Sequence, residues 1–135
     1  MSRIQSREFA MKLIYQMEIQ REDREEQMEY AIEDSETPFT QGDLDYIYNV
    51  INGVFENLQT LDSTVELNAR GWKLQRISRV DLSILRLCIY EIKYRDDIPI
   101  NVSINEAVEL AKKYGSEESG SFINGILSNV KAPDS

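Results

Sequence analysis

The sequence predicts an all-α fold with two packed helical subdomains, about six to seven helices and one central apolar helix. Three observations predict this class. Apolar residues return every three or four positions along most of the 135 residues, as in amphipathic helices. Gly and Pro fall mainly between these stretches, where they mark turns. The one stretch with strand-like alternation is too long for an ordinary strand. We therefore expect one helical domain over residues 1–135.

The N-terminal third predicts two helices of different character. Residues 2–20 carry an apolar face and place Arg3, Arg7 and Lys12 on the solvated side. Residues 21–36 are mostly charged, with only a narrow apolar strip. This second pattern is typical of a solvated amphipathic helix.

Turn residues then separate two further helices. The loop of residues 35–42 contains a Pro and a Gly, and we expect the next helix to begin at Asp43 as its cap. Its apolar stripe indicates a core helix. A shorter helix covers residues 61–70, after which the chain turns. We interpret Trp72 as a packing anchor in preference to a base-stacking surface.

Residues 77–94 predict the central helix. Val80, Leu82 and Ile84 alternate with polar residues as in a strand. A run of about sixteen residues without Gly or Pro exceeds ordinary strand lengths, however. Apolar side chains also cover most of a helical circumference, as expected for the most buried helix. We interpret Arg86, in its middle, as a paired core residue in preference to a ligand contact.

Two short helices joined by a tight corner are predicted near the C-terminus. Ser103 and Glu106 have the spacing of a capping box at the start of the first helix. We expect Gly115 to end that helix in the left-handed conformation. Ser116 and two acidic residues then precede the second helix, where they suit its positive end.

The last of these helices contains Gly125. Gly inside a helix costs about 1 kcal/mol relative to Ala. We therefore expect another backbone to pass close to it. Residues 131–135 predict a frayed tail.

Several kinds of chemistry have no residues to support them. The chain contains no His, which is the commonest general base and transition-metal ligand. It has no phosphate-binding Gly-rich motif, spaced thiolates or calcium loop. We therefore expect no enzyme activity, no cofactor and no metal site.

Cys88 is single, which suits a core residue in a reducing compartment. No apolar run approaches a membrane span, so we expect a cytoplasmic protein with no membrane partner.

Negative charge is concentrated in one block of the chain. The net charge is −9, to which residues 1–21 contribute +2, residues 22–66 contribute −12 and residues 67–135 contribute +1. A phosphate backbone would be repelled by the middle block but could approach the two ends. The charge distribution therefore leaves room for RNA binding of low intrinsic affinity.

The corner between the last two helices predicts an RNA-binding edge. Free N–H groups at a helix N-terminus favour phosphate oxygens. Basic side chains and aromatic rings hold single-stranded RNA. Tyr15 or Phe122 can supply such a ring, although the residues alone favour a core position for Phe122. Glu118 opposes phosphate by like charge. The residues that the corner brings together are Lys112, Lys113, Ser116, Glu118, Ser119 and Phe122.

A set of short motifs follows in order along nearly the whole chain. They are RE at 7–8, LIYQ at 13–16, GV at 53–54, Asp62, Trp72, ILRL at 84–87, YE at 90–91, IP at 98–99, INEAVELAKKYG at 104–115 and FINGIL at 122–127. Together they resemble the NusB family of transcription antitermination factors. No single motif is decisive, but the ordered set is highly specific.

The resemblance implies a NusB-like fold that acts by binding. It implies recognition of the boxA element of ribosomal RNA leader transcripts, a partner in NusE, a small-subunit ribosomal protein, and action in the RNA polymerase antitermination complex. It also implies RNA contact at the start of the first helix and at Phe122. The expected RNA-binding residues are Arg3, Arg7, Lys12, Tyr15, Lys112, Lys113, Ser116, Glu118, Ser119 and Phe122.

Two expectations follow for the RNA complex. Because the protein is acidic, we expect RNA binding to depend strongly on the partner. We also expect Arg7 and Lys113 to lie close enough to hold one strand jointly.

Two other interpretations remain open. The first is an acidic helical protein-interaction module, in which residues 22–66 bind a basic partner and RNA is never contacted. The second is a detached relative of the NusB-like domain that precedes an RNA methyltransferase domain. The end of the chain at Ser135, without a cofactor-binding segment, is taken to disfavour it. A homodimer also stays open.

Overall fold

Helices form nearly all of the regular structure. The computed structural model describes residues 1–132, which contain seven α-helices, one short 3-10 helix and no strand. The all-α class is therefore confirmed. The chain divides into two compact units, Met1–Asn52 and Gly53–Ser135, and two helical subdomains were expected. The elements are α1 (Arg3–Ile19), α2 (Arg24–Asp34), α3 (Gln41–Glu56), α4 (Leu58–Asn68), the 3-10 helix Leu74–Arg76, α5 (Arg79–Tyr94), α6 (Ile100–Tyr114) and α7 (Ser119–Leu127).

The first unit contains α1, α2 and most of α3. α1 begins with a capping box: the Ser2 hydroxyl accepts the Gln5 N–H, and the Gln5 side chain accepts the Ser2 N–H. α3 begins at Gln41, two residues before the predicted cap. The Thr40 hydroxyl accepts the Asp43 N–H at 3.1 Å, and the Asp43 carboxylate accepts the Thr40 N–H at 2.8 Å. Asp43 therefore completes a reciprocal pair instead of being the cap. Fully buried side chains of this unit include Ala10, Ile14, Met28, Ile47 and Val50.

The second unit is built around α5. Residues 81–92 are all buried, and α4, α6 and α7 pack against this helix. The helical interpretation of residues 77–94 is therefore confirmed. Arg86 is paired as predicted: its Nε and Nη2 donate to the two carboxylate oxygens of Asp62 at 2.8 and 2.9 Å.

α6 begins at Ile100, three residues before the predicted start. The capping box of Ser103 and Glu106 is wrong, because the Ser103 hydroxyl is buried and donates to Glu91 Oε1 at 2.7 Å. Pro99 directly precedes the helix, where its missing N–H and fixed φ are tolerated. A tertiary hydrogen bond thus uses the side chain that the local pattern assigns to a cap.

Two predictions about glycines are also wrong. Gly115 follows α6 with φ −93°, which is not left-handed. A Cβ at this position would collide with the Ser119 side chain, so the close approach of α7 explains the glycine. Gly125 is exposed, and a Cβ there would meet nothing within 4 Å, so no other backbone among residues 1–132 approaches it. The tail predicted for residues 131–135 lies outside the described residues from position 133 onward.

Candidate nucleic-acid interface

Arg3 and Arg7 of α1 differ in exposure. Arg3 is exposed, with its guanidinium carbon 4.4 Å from the centroid of the Tyr46 ring. Arg7 is 4% exposed, and its guanidinium carbon lies 5.9 Å from the same centroid. The prediction that Arg7 lies on the solvated side is wrong. It precedes Ala10 by three residues and Ile14 by seven, so it shares their buried face. Arg7 therefore fixes α1 within the first unit.

Lys12 and Tyr15 share another face of α1. Lys12 is exposed, and its Nζ lies 3.8 Å from Glu8 Oε1, one turn earlier. Tyr15 is half-buried and three residues from Lys12, so the two side chains are neighbours. Arg3 precedes Lys12 by nine residues, which places it half a turn away around the helix. A single ligand surface on α1 can therefore use Lys12 with Tyr15, or Arg3, but not all three.

α6 ends with two exposed lysines at the corner. Lys112 Nζ lies 3.5 Å from Glu109 Oε1, an exposed pair that contributes little to stability. Lys113 Nζ lies 5.4 Å from the centroid of the Tyr114 ring. Both lysines are therefore accessible to a ligand.

Ser119 stabilises the α6–α7 corner through the hydrogen bonds of its side chain. Its buried hydroxyl accepts the Ser116 N–H at 2.9 Å, donates to Asp81 Oδ2 at 3.1 Å and lies 3.1 Å from the Ser116 hydroxyl. The side chain predicted to bind RNA thus has internal partners. Ser116 and Glu118 are exposed and supply the surface groups of this turn.

Phe122 lines a cleft of about 350 Å³ beside the corner. Its half-buried ring meets the Trp72 ring edge-on, with centroids 5.6 Å apart and planes at 66°. Trp72 packs against Phe122 as a packing anchor would, but it is 52% exposed and so is not enclosed in the core. Asp81 also lines the cleft; it is buried, and its Oδ1 accepts no hydrogen bond from the described part of the chain. Two aromatic rings and a hydrogen-bond acceptor thus share one cleft.

Sequence reasoning missed Trp72 and Asp81 as members of this site. Both are brought to Phe122 by the packing of α4, α5 and α7, which no local pattern encodes. One signal was available for Trp72: it directly follows a Gly in a predicted turn, where an aromatic ring has few neighbours to cover it.

The predicted RNA-binding residues fall into two groups. The first unit holds Arg3, Arg7, Lys12 and Tyr15, and the second holds Lys112, Lys113, Ser116, Glu118, Ser119 and Phe122. The expected closeness of Arg7 and Lys113 stays a prediction, but Arg7 is too buried to hold a strand itself. Within the second group, Ser116, Glu118, Ser119 and Phe122 line the same cleft.

None of the helices within residues 1–132 combines the length and apolar character that crossing a bilayer requires. Nor does that part of the chain bring together three or more His, Cys, Asp or Glu side chains that could hold a metal ion. The thiol of Cys88 is buried.

Comparisons with known proteins agree with this fold. The family model described as NusB family matches residues 4–132. The transcription antitermination protein NusB of Acetivibrio thermocellus is 58% identical over 130 residues, covering 96% of this chain and 88% of the relative. The protein of the same name from Ruminiclostridium cellulolyticum is 54% identical, covering 99% and 91%.

Solved structures are similar as well. NusB of T. maritima has a TM-score of 0.90 and 38% identity, covering 98% of this chain and 94% of that one. A complex of the antitermination factors NusB and NusE with double-stranded RNA has a TM-score of 0.83, covering 96% and 97%, but its 23% identity bears on the fold alone. The match to the family model and the two close relatives are decisive: this chain belongs to the NusB family.

Proposed function

We propose that this chain is a transcription antitermination factor that binds boxA-type single-stranded RNA together with NusE and acts in the RNA polymerase antitermination complex. Family membership and the name shared by its relatives support this function. A related NusB has been solved with NusE and RNA. The protein acts by binding and not by catalysis, and we place it in the cytoplasm.

The cleft beside the α6–α7 corner is the observation that carries the proposal. The ring of Phe122 is partly exposed in the wall of this cleft, which suits a stacked base. Exposed Lys112 and Lys113 at the end of α6 attract phosphate, whereas Glu118 opposes it. Attraction and repulsion in one site fit an affinity that is weak until a partner adds positive charge.

The burial pattern refines which residues contact RNA. Arg7 and Ser119 are buried and have roles inside their units, so we assign them to positioning. Arg3 lies half a turn from Lys12 around α1, so we leave it out of the contact set. The residues that we propose as direct contacts are Lys12, Tyr15, Lys112, Lys113, Ser116, Glu118 and Phe122.

An RNA titration tests this function. The affinity of a labelled boxA RNA is measured by fluorescence anisotropy, with and without NusE. We expect NusE to raise the affinity and Phe122→Ala to lower it about tenfold, since a stacked base contributes on the order of 1–3 kcal/mol. Lys113→Gln should weaken binding, while Lys131→Gln, which changes another exposed lysine, serves as the charge-matched control. Circular dichroism checks that each variant folds.

Two outcomes would count against it. Equal affinity with and without NusE would discard partner dependence. Absence of RNA binding under both conditions would discard the function.

A protein-interaction module remains the second candidate, because of an acidic surface in the first unit. A cleft of about 480 Å³ lies beside α2, and Tyr30 in its wall is largely exposed. Such a surface suits a basic protein. This candidate predicts that Tyr30→Ala weakens partner binding, while Phe122→Ala and Lys113→Gln leave RNA affinity unchanged. The five exposed carboxylates of α2 are Glu25, Glu26, Glu29, Glu33 and Asp34.

A further inference from the structure

Residues 70–79, which we call the basic segment, carry the densest positive charge in this acidic chain. The segment contains four basic residues and no acidic one, against a net charge of −9 for the whole. It runs from the end of α4 through the 3-10 helix to the first residue of α5. All four basic side chains are exposed, and none forms an ion pair within residues 1–132: Arg70, Lys73, Arg76 and Arg79.

The backbone of this segment holds Trp72 at the surface. Arg70 has φ 37° and Gly71 has φ 88°, so two successive residues are left-handed. A side chain at positive φ is uncommon and costs about 1 kcal/mol or more. The Trp72 N–H donates to the Ala69 carbonyl at 3.1 Å, which closes the turn. This turn places the indole at the surface beside the Phe122 ring, and half of its surface stays accessible.

Trp72 and Phe122 together separate two clefts of the second unit. Both rings line the cleft of about 350 Å³, which also contains Arg76. Both also line a second cleft of about 450 Å³, which contains Arg70. A strand crossing the two rings would therefore meet a guanidinium on each side. Alternation of aromatic faces and cationic groups is the arrangement with which proteins bind single-stranded nucleic acid.

We propose that the basic segment is a second stretch of RNA contact, in which Trp72 stacks a base and Arg70, Lys73 and Arg76 bind the flanking phosphates. It would carry the strand onward from the Phe122 side of the corner. The inference rests on the proposed function and extends it to residues outside the predicted site. Single-stranded RNA suits the segment better than an acidic protein does, because the clefts on both sides of the indole give successive bases and phosphates a path.

Intrinsic fluorescence tests the stacking directly, because Trp72 is the only Trp in the chain. A boxA RNA with several flanking nucleotides at each end is titrated into the protein with NusE present. The Trp72→Phe variant gives the background emission of the partner. We expect the Trp72 emission to be quenched along the same curve as the anisotropy of labelled RNA. Saturated RNA binding without any change in Trp72 emission would overturn the proposal.

The phosphate contacts are tested by the salt dependence of binding. For single strands, each phosphate contact contributes about 0.7 to the slope of log affinity against log salt. The double variant Lys73→Gln/Arg76→Gln removes two of these contacts and should therefore reduce the slope by about 1.4. The matched control Arg21→Gln/Lys131→Gln removes two other exposed charges and should leave the slope unchanged. Trp72→Ala should weaken binding roughly 5- to 100-fold, and Trp72→Phe should retain most of the affinity.

The outcomes separate this inference from the proposed function. If the wild-type protein binds no RNA, both are wrong. If Phe122→Ala weakens binding but Lys73→Gln/Arg76→Gln behaves like its control, only the inference is wrong. If NusE alone changes the Trp72 emission and RNA adds nothing, the segment binds protein and the inference is again wrong.

Discussion

Arg86 is a charged side chain in the middle of the most buried helix. Its guanidinium and the Asp62 carboxylate form two parallel hydrogen bonds, with both groups largely withdrawn from solvent. Removing one partner of a buried pair leaves the other charge poorly compensated. We expect Asp62→Ala to lower the free energy of unfolding by about 3 kcal/mol, measured by urea denaturation.

A surface pair in the same unit provides the control. Arg95 donates to both carboxylate oxygens of Asp97 at 2.9 and 2.7 Å, but the Asp97 side chain is mostly exposed. We expect Asp97→Ala to cost less than about 1 kcal/mol, because solvent screens the pair. Equal losses for the two variants would contradict the role assigned to burial.

Asp43 makes stability depend on pH. The Thr40 N–H holds the pKa of this carboxyl below its ordinary value, burial opposes that shift, and the N-terminal ammonium at 3.3 Å adds to it. The unfolded chain therefore takes up the proton at higher pH than the native protein does. The stabilisation is present above about pH 4 and is lost as the pH falls through the native pKa.

The comparison of wild type with Asp43→Asn measures this contribution. We expect the variant to be less stable at neutral pH and the difference to shrink as the pH falls below about 4. Urea unfolding at a series of pH values gives the two curves. A difference that stays constant into the acid range would contradict the assignment.

At the scale of elements, two helical glycines have opposite environments. A Cβ on Gly53 in α3 would overlap the Tyr90 ring of α5, whereas a Cβ on Gly125 in α7 would meet open space. We expect Gly53→Ala to lower the free energy of unfolding by about 1–3 kcal/mol through overpacking. Gly125→Ala should raise it by up to about 1 kcal/mol, since Ala favours the helix. Thermal unfolding measures both, and shifts of the same sign would contradict the assignment.

Local patterns predicted the helices better than their ends. The apolar periodicity of residues 77–94 was sufficient to identify α5, because a helix buried on every side needs apolar residues around its circumference. The start of α6 was predicted wrongly, since Ser103 bonds to Glu91 on another helix. The pairing of Arg86 was predicted, but the identity of its partner was not. Asp62 lies 24 residues away and reaches Arg86 only because α4 packs on α5.

The candidate site was predictable only in part for the same reason. Composition and resemblance identified the α6–α7 corner, and Lys112, Lys113, Ser116 and Glu118 are exposed there. The burial of Ser119 and the exposure of Trp72 depend on tertiary packing. A helical repeat could have indicated the burial of Arg7, because Ala10 and Ile14 follow it at three and seven residues.

At the scale of the whole molecule, charge is distributed very unevenly. Residues 22–66 contribute −12, and the basic segment contributes +4 within ten residues. Within the first unit, burial raises the pKa of the Tyr48 hydroxyl, and the negative charges of Glu25 and Glu29 raise it further. One domain over residues 1–135 stays a prediction, since the structure divides the chain into two compact units.

The carboxylates on α2 bear on fidelity. A cell contains many unrelated transcripts. The α2 carboxylates repel the phosphates of any transcript that approaches them, whatever its sequence. Such a barrier penalises every transcript alike, so the correct one must recover the loss through contacts that its competitors cannot make. We therefore expect replacement of the α2 glutamates by glutamine to raise the affinity for unrelated RNA more than the affinity for boxA RNA.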